Sequence, residues 1–594
     1  MRVGGLAGLL LPAFPKTSPA FRPRPGRLSV RLALAGWALC AGLVVSGAIA
    51  GSARAATATA SPTPTAAPSQ QADSELQALI AAGTFPDLRW PNFLSYRAAV
   101  GRFYESRGYS LAWVQDGQAS PQAQAMIQLF KQASTKGLNP EDYDASRWDA
   151  RLSRIRPASA LPTEADLVHF DLALTVCAMR FISDLHVGRV NPQHIDFGLV
   201  GPEQYDLAEF LRNRVLPAQG VDAIIASVEP QYAGYQRAEA ALASYLKVAG
   251  EGDGTRLPMP AKSVRPGDAD PAMAQLAWRL NQLGDLPDDV GAYASTTNYN
   301  GAVIDAVKHF QRRHGLEHDG VLGQRTITEL NIPLSQRVSQ LQLTLERYRW
   351  IPAAFPQPPI IVNIPEFRLR TMRRQPGGFL SMKVVVGKAF GHQTPVLASY
   401  VRYVVLRPYW NVPFSIQRAE LAPKIRRDPD YLAKNGYEVV NRDRTVVTDG
   451  LVTDDVLSGL ASGALNIRQK PGPKNSLGLR KFIFPNPYNV YLHSTPATEL
   501  FSRARRDFSH GCIRVENPAA LAAWMLRGKP AWTPDAIRAA MNGDQTIQVN
   551  LDKPIPVLIL YSTAVVEPDG EVRFFRDIYG LDAELEKALT VPVS

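Results

Sequence analysis

The stretch Ile547-Gln548-Val549-Asn550-Leu551 decides the fold class of the C-terminal part of this chain. Apolar side chains at 547, 549 and 551 alternate with amides at 548 and 550, the period-two pattern of a half-buried strand. Phe367 and Leu369 alternate with Arg368 and Arg370 in the same way. Residues 557–575, VLILYSTAVVEPDGEVRFF, read as a hairpin turning at Pro568-Asp569-Gly570. The region of about 358–580 is therefore expected to be built mainly of strands. Inside it, about 417–480, lies a long insertion rich in charge, Gly and Pro. An insertion of that length is expected to be a lid or an independent subdomain.

Upstream the period changes. Residues 75–250 are mostly helical in pattern, with breaks at TKGLNPEDYD (135–144) and HVGRVNP (186–192). A Gly/Pro-rich linker follows at about 250–270. Residues 271–332 then form a compact helical unit. Met273, Leu276, Ala277, Leu280 and Leu283 share one helix face, as do Val303, Ala306, Val307 and Phe310. A Gly-punctuated turn, HGLEHDGVLGQRT, leads into a further helix. The whole is a multidomain α+β chain.

The N-terminal 55 residues carry seven basic side chains and no acid. Leu32–Ala50 is apolar and uncharged, and Ala53-Arg54-Ala55 fits a small-residue cleavage site. Residues 1–55 read as a secretory signal, with an uncleaved membrane anchor as the alternative. Either way the bulk of the chain is expected to be exported. Residues 56–74 are rich in Ala, Thr, Pro and Ser and read as a flexible tether.

At 594 residues the chain is too long for one core and predicts roughly three or four domains. Hydrophobic content of 45% with 20% charged residues excludes a wholly disordered chain. A single long apolar run excludes a polytopic membrane protein. Taking the leader's seven cations from the net charge of +11 leaves +4, too mild to argue for nucleic acid. Only Cys177 and Cys512 remain outside the leader, so a disulfide scaffold is not expected. Cys177 lies in an apolar helical run and reads as a small buried hydrophobe.

Cys512 has a different setting. It follows Ser509-His510-Gly511, and His493 lies upstream on an expected strand. A cysteine nucleophile needs a thiolate, and an imidazole within reach supplies the base or counter-ion. Gly511 permits a sharp turn that would face backbone amides towards a developing oxyanion. A structural or metal-bound Cys is the competing reading. No second Cys or carboxylate stands at ligand spacing, so no metal is expected there. His309, His314 and His318 also invite a metal reading, but the first two splay apart on a helix and acidic ligands are sparse. No phosphate-cradling loop or zinc pattern stands out.

His493, fifteen intervening residues and then Ser509-His510-Gly511-Cys512-Ile513-Arg514 resemble the signature of the L,D-transpeptidases, which cross-link peptidoglycan stem peptides. RPYWNVPFSI (407–416) and DIYGLD (577–582) are similar to that family's large Gram-negative subgroup. YESRGYSLAWV and KGLNPEDYD resemble its helical scaffold region. AVKHFQRRHGLEHDGVLGQRTITELN, within 271–332, resembles a three-helix peptidoglycan-binding module. The insertion 417–480 corresponds to a capping subdomain. The resemblance implies a mostly β, sandwich-like cysteine transpeptidase domain over 358–580.

It also implies roles. Cys512 would be the nucleophile, His493 the base, and the backbone carbonyl of Ser494, where many relatives have Gly, the third member. The amides of Gly511 and Cys512 would serve the oxyanion. Tyr491 would add a hydroxyl to the pocket, Arg514 would anchor a substrate carboxylate, and Trp410 and Asn411 would form the pocket wall. Ser509 and His510 would touch substrate, with orientation of the loop as the alternative for His510. The implied reaction needs no cofactor. Its substrates would be a tetrapeptide donor stem and the diamino acid of an acceptor stem, giving a 3→3 cross-link. A water acceptor would make the chain an L,D-carboxypeptidase, and a protein amine would make it attach or release an envelope lipoprotein. A wall-binding scaffold with a degenerate catalytic domain is the reading from another class. Implied partners are peptidoglycan and glycan-synthesising enzymes, with carbapenems as inhibitors and the periplasm, or its inner-membrane face, as location.

Overall fold

The computed structural model describes residues 70–156, 161–287, 293, 295–352, 354–371, 379–428 and 430–591. The leader 1–55, and the tether as far as residue 69, lie outside the described residues. A helix, Gln70–Ala82, already begins inside the stretch expected to be tether.

The N-terminal helical region is organised around α1, Glu164–Val187. Thr163 and Asp166 form a reciprocal capping box that starts it. Its residues are buried almost all round, as expected of a helix enclosed by others. Cys177 lies in its interior as a buried free thiol. Buried Asp171 accepts from the Tyr104 hydroxyl at 2.6 Å and from the amides of Ala112 and Trp113 at 2.9 and 2.7 Å. Those bonds fix the YESRGYSLAWV segment against α1. Helix α2, Ala233–Gly250, closes the region.

The next unit comprises α3 (Met273–Gln282), α4 (Gly301–Arg313) and α5 (Gln324–Leu330). Leu276, Leu280, Val303, Val307, Phe310 and Leu330 form its core. Gln311 holds the Gly-rich turn, donating to the Val321 carbonyl at 3.0 Å and accepting from the Gly320 amide at 2.8 Å. His309 lies between Asp285 at 2.6 Å and Glu571 at 3.0 Å, so it ties this unit to the C-terminal hairpin. His314 is buried and stacks on Phe310. Among the described residues no cluster of His, Cys, Asp and Glu has metal-binding geometry. Helix α6, Leu334–Arg349, then packs between α2 and the hairpin.

The remaining sheet is built from β1 (Ile360–Asn363), β2 (Arg368–Thr371), β3 (Leu380–Gly387) and β4 (Leu397–Leu406). After the insertion come β9 (Arg480–Ile483), β10 (Leu492–His493), β11 (Asp507–Ser509), β12 (Ile513–Val515) and the long β13 (Ile547–Leu560). Their order is β11-β3-β12-β10-β9-β4-β13-β1-β2, and β2 also pairs with β3. The sandwich-like expectation is thereby refined: the sheet closes on itself through the β2–β3 pairing, with short β11 appended to β3. Inside the closure lie Val362, Leu369, Val384, Val404, Leu492, Ile513 and Val557. The alternation at 547–551 is realised in β13, with Val549 buried and Gln548 and Asn550 exposed. Phe367 departs from the expected strand. It is a turn residue at φ +55°, and the ladder begins at Arg368. The expected hairpin is present as β14 (Ala564–Val566) and β15 (Val572–Phe574).

The insertion leaves the sheet after β4 and returns at β9, where Leu406 faces Arg480. Its strands β5 (Trp410–Asn411), β6 (Tyr437–Val440), β7 (Val446–Thr448) and β8 (Asn466–Gln469) form a separate sheet in the order β5-β8-β6-β7. Leu421, Ile425, Leu432, Val439, Leu460 and Ile467 give it a core of its own. Among the described residues no helix is long and apolar enough to cross a membrane.

Candidate active site

Strands β10 and β12 run parallel, with Leu492 opposite Ile513 and His493 opposite Arg514. Leu492 and Ile513 are fully buried in the core. Alternation therefore places Tyr491, His493, Cys512 and Arg514 together on the outer face. Strand β9 pairs antiparallel on the other side of β10, with Lys481 opposite His493. One row across the sheet thus reads Lys481–His493–Arg514, and the row beside it holds Tyr491 and Cys512.

Cys512 is half-buried, and its Sγ lies 3.8 Å from the Asn489 carbonyl. Burial pushes its thiol above the ordinary value. The backbone and hydroxyl of Tyr491, and the charges of Lys481 and Arg514, pull the other way without reversing the direction. Burial raises the Tyr491 pKa, the neighbouring Cys512 adds to the rise, and Trp410 opposes it. Lys481 Nζ lies 3.8 Å from the centre of the Tyr491 ring. Burial lowers the Lys481 pKa, while the nearby Cys512 favours its charged form.

His493 is 4% exposed and donates from Nδ1 to the Ser494 carbonyl at 2.5 Å. That bond fixes the tautomer and leaves Nε2 as the basic nitrogen. Burial, with Arg514 and then Lys481 beside it, lowers the imidazole pKa to about 3, against the opposing carbonyls of Ser494 and Leu477. The ring is therefore neutral at physiological pH. Among the described residues no hydrogen bond joins the imidazole to the thiol. The resting pair is a neutral thiol beside a neutral base, and such contacts commonly tighten only when substrate binds.

The turn that carries the nucleophile is fixed from below. Gly511 has φ +107°, which few side chains tolerate. Ser509 is 2% exposed, its Oγ donates to the Cys512 carbonyl at 2.6 Å and accepts from the Gly511 amide at 3.2 Å. This corrects the reading of Ser509 as a substrate contact, because its oxygen is enclosed and already occupied by the turn. It also directs the Gly511 amide at Ser509 and away from any oxyanion. Thr394 Oγ1 donates to the Gly511 carbonyl at 2.8 Å and accepts from the Gly387 amide at 2.9 Å. The Tyr579 hydroxyl donates to the Gly387 carbonyl at 2.6 Å. The C-terminal DIYGLD segment thereby props the nucleophile turn through Thr394.

The remaining sequence candidates divide. Trp410 reaches the site through Tyr491. Asn411 follows it on a strand, so it faces the other way, and it is exposed. His510 bonds through Nε2 to Glu420 of the insertion at 2.5 Å and packs edge-on against His392 at 4.7 Å between ring centres. It links the nucleophile turn to the insertion. The Arg514 Nε is buried with no hydrogen-bond partner, so part of this guanidinium is left for an incoming group. Lys481, Glu420, Thr394 and Tyr579 were not expected from the sequence. Tyr579 lies in the DIYGLD stretch singled out above, and Lys481 stands among strand residues in LRKFIF, but neither signal placed its residue at the site.

Three family models match the chain. Residues 98–242 match a "Scaffold domain", residues 269–330 a "Putative peptidoglycan binding domain" and residues 358–533 an "L,D-transpeptidase catalytic domain". A curated relative from Haemophilus influenzae, described as a "Putative L,D-transpeptidase", is 31% identical over 43% of this chain. The chain spans about half of that relative's length, 51%. A solved L,D-transpeptidase from Xylanimonas cellulosilytica aligns over 51% of this chain and 100% of its own at 16% identity. Its TM-score of 0.17 is too low to support any inference. A fused zinc-dependent amidase/peptidase with a peptidoglycan-binding domain from Clostridium acetobutylicum scores 0.12 at 11% identity, covering 50% of this chain and 99% of its own, and carries no more weight. The chain thus carries an L,D-transpeptidase catalytic domain over residues 358–533, joined to a scaffold domain over 98–242 and a peptidoglycan-binding domain over 269–330.

Proposed function

We propose that the chain forms 3→3 cross-links in peptidoglycan through a thioester on Cys512. The supporting observation is the shared outer face of Tyr491, His493, Cys512 and Arg514, with Lys481 completing the row. His493 Nε2 takes the thiol proton as Sγ attacks the carbonyl between the third-position diamino acid and the terminal D-Ala of a donor stem. The C–S bond forms, the oxyanion collapses, and the C–N bond breaks. D-Ala leaves with the proton that His493 returns to its nitrogen. The side-chain amine of an acceptor stem then attacks the thioester, and Cys512 recovers its proton.

The Cys512 amide, and not that of Gly511, is the backbone donor suited to the oxyanion. Two cations beside the thiol favour each anionic species along this path. Arg514, with its unpartnered Nε, suits a stem carboxylate. The expected place of action is the periplasm, reached through the N-terminal signal. Intact-mass measurement of the enzyme mixed with a tetrapeptide stem tests the acyl-enzyme. An adduct of the tripeptide acyl group on the wild type, absent from Cys512→Ala, is expected. An adduct that persists in Cys512→Ala would move the chemistry elsewhere.

A further inference from the structure

The outer face of the sheet continues beyond the nucleophile. The Ile513 amide donates to the Tyr491 carbonyl at 3.1 Å, which sets Cys512 beside Tyr491. The antiparallel register of β9 and β10 sets Ile483 beside Tyr491, since Phe482 faces Leu492. Ile483 faces Tyr403 on β4, and Tyr403 faces Asn550 on β13. One row of outward side chains therefore runs from Cys512 to Asn550. Three strand spacings place Tyr403 about 14 Å from the nucleophile.

At that end the sheet is hollowed. The register of β13 slips between Asn550 and Ile555, and the slipped segment forms one wall of an open groove of about 830 Å³. Tyr400, Arg402, Tyr403, Gln548, Asn550 and Lys553 line it. Tyr400 is 45% exposed. Asp552 is neutralised by Lys529 at 2.6 Å, whereas Arg402 and Lys553 have no ion pair among the described residues. With Gln357, which also lines it, the groove thus offers two aromatic bodies, three amides and two uncompensated cations.

We propose that this groove binds the glycan strand that carries the donor stem. The inference rests on the reading of Cys512 as the nucleophile for a tetrapeptide stem. Three extended stem residues between the attacked carbonyl and the sugar span about 10 Å, so the sugar falls at Tyr403 and Tyr400. Sugar rings present apolar faces to tyrosines and hydroxyl and acetamido groups to Gln548 and Asn550. Arg402 and Lys553 match the carboxylates that a stem-bearing strand displays. Substrate is thereby held at both ends, at the thiol and at its sugar.

The test uses the full chain carrying Cys512→Ala, so that ligands bind without turnover. Calorimetry compares a disaccharide-tetrapeptide with the same tetrapeptide lacking sugar. The disaccharide ligand is expected to bind at least tenfold more tightly. Adding Tyr400→Ala and Arg402→Ala, both on exposed side chains, should shrink that gap to under twofold and leave the tetrapeptide affinity in place. A gap that survives the double substitution, or no gap in the parent, overturns the groove assignment while the stem-peptide reading stands. If neither ligand binds, the stem-peptide reading falls and the groove assignment with it.

Discussion

Lys481→Met removes a charge from the active-site face while keeping a side chain of similar length. Lys481 Nζ sits 3.8 Å from the Tyr491 ring centre, and its charge favours the Cys512 thiolate. For a unit charge several ångströms from the sulfur and an effective dielectric of about 20, Coulomb's law gives roughly 2 kcal/mol. Solvent at the half-buried thiol reduces that figure, so the thiol pKa should rise by about one unit. The wild-type thiol is already pushed above its ordinary value by burial. Only the thiolate reacts, so alkylation by iodoacetamide should increase with pH through an alkaline midpoint. In Lys481→Met the midpoint should move about one pH unit higher, and at pH 8 the rate should fall about tenfold. Lys481→Arg should restore most of it, because it restores the charge. The rate profile from pH 6 to 11 is the assay. A Lys481→Met midpoint equal to that of the wild type would refute the electrostatic role. A loss of rate at every pH, not rescued by Arg, would assign Lys481 to packing alone.

Three other substitutions probe neighbouring parts of the site. His493→Ala should slow acylation by a β-lactam at least a hundredfold, as expected for loss of a general base, whereas Ser494→Ala should be mild because only its carbonyl meets the imidazole. Equal large losses in stopped-flow traces would contradict that division. Gly387→Ala places a Cβ 1.9 Å from the His392 carbonyl, so the 388–394 loop must move, Thr394 loses its hold on Gly511, and stability should fall by about 1–3 kcal/mol in thermal unfolding. An unchanged melting temperature with unchanged Cys512 alkylation would show that the turn does not depend on that prop. Glu420→Ala frees His510 from the insertion and should alter carbapenem acylation, measured by intact mass, more than iodoacetamide reactivity. Parallel loss of both would mean the insertion supports the site and does not gate it.

The parts of the site that lie within one segment were legible in the sequence. Gly511 announced a turn, and the apolar Leu492 and Ile513 announced which face His493 and Cys512 would take. What depends on pairing between distant segments was not. Lys481 enters the site only because β9 pairs with β10, and its position just after a Gly/Pro-rich insertion gave no register. Thr394 reaches Gly511, and Tyr579 in turn holds Thr394 from 185 residues away in sequence, a distance over which no periodicity speaks. Closure of the sheet follows from β2 pairing with both β1 and β3, a topological fact that alternation at 368–370 cannot reveal. Ser509 illustrates the opposite error: its place in a motif suggested substrate contact, whereas the turn consumes its hydroxyl.

The most direct measurement is mass spectrometry of muropeptides after the full chain is incubated with tetrapeptide-rich sacculi. Dimers joined between two diamino acids should accumulate, with one D-Ala released per cross-link, and neither product should form with Cys512→Ala. Shortened stems without dimers, or dimers formed equally by Cys512→Ala, would contradict a cross-linking thioester at Cys512.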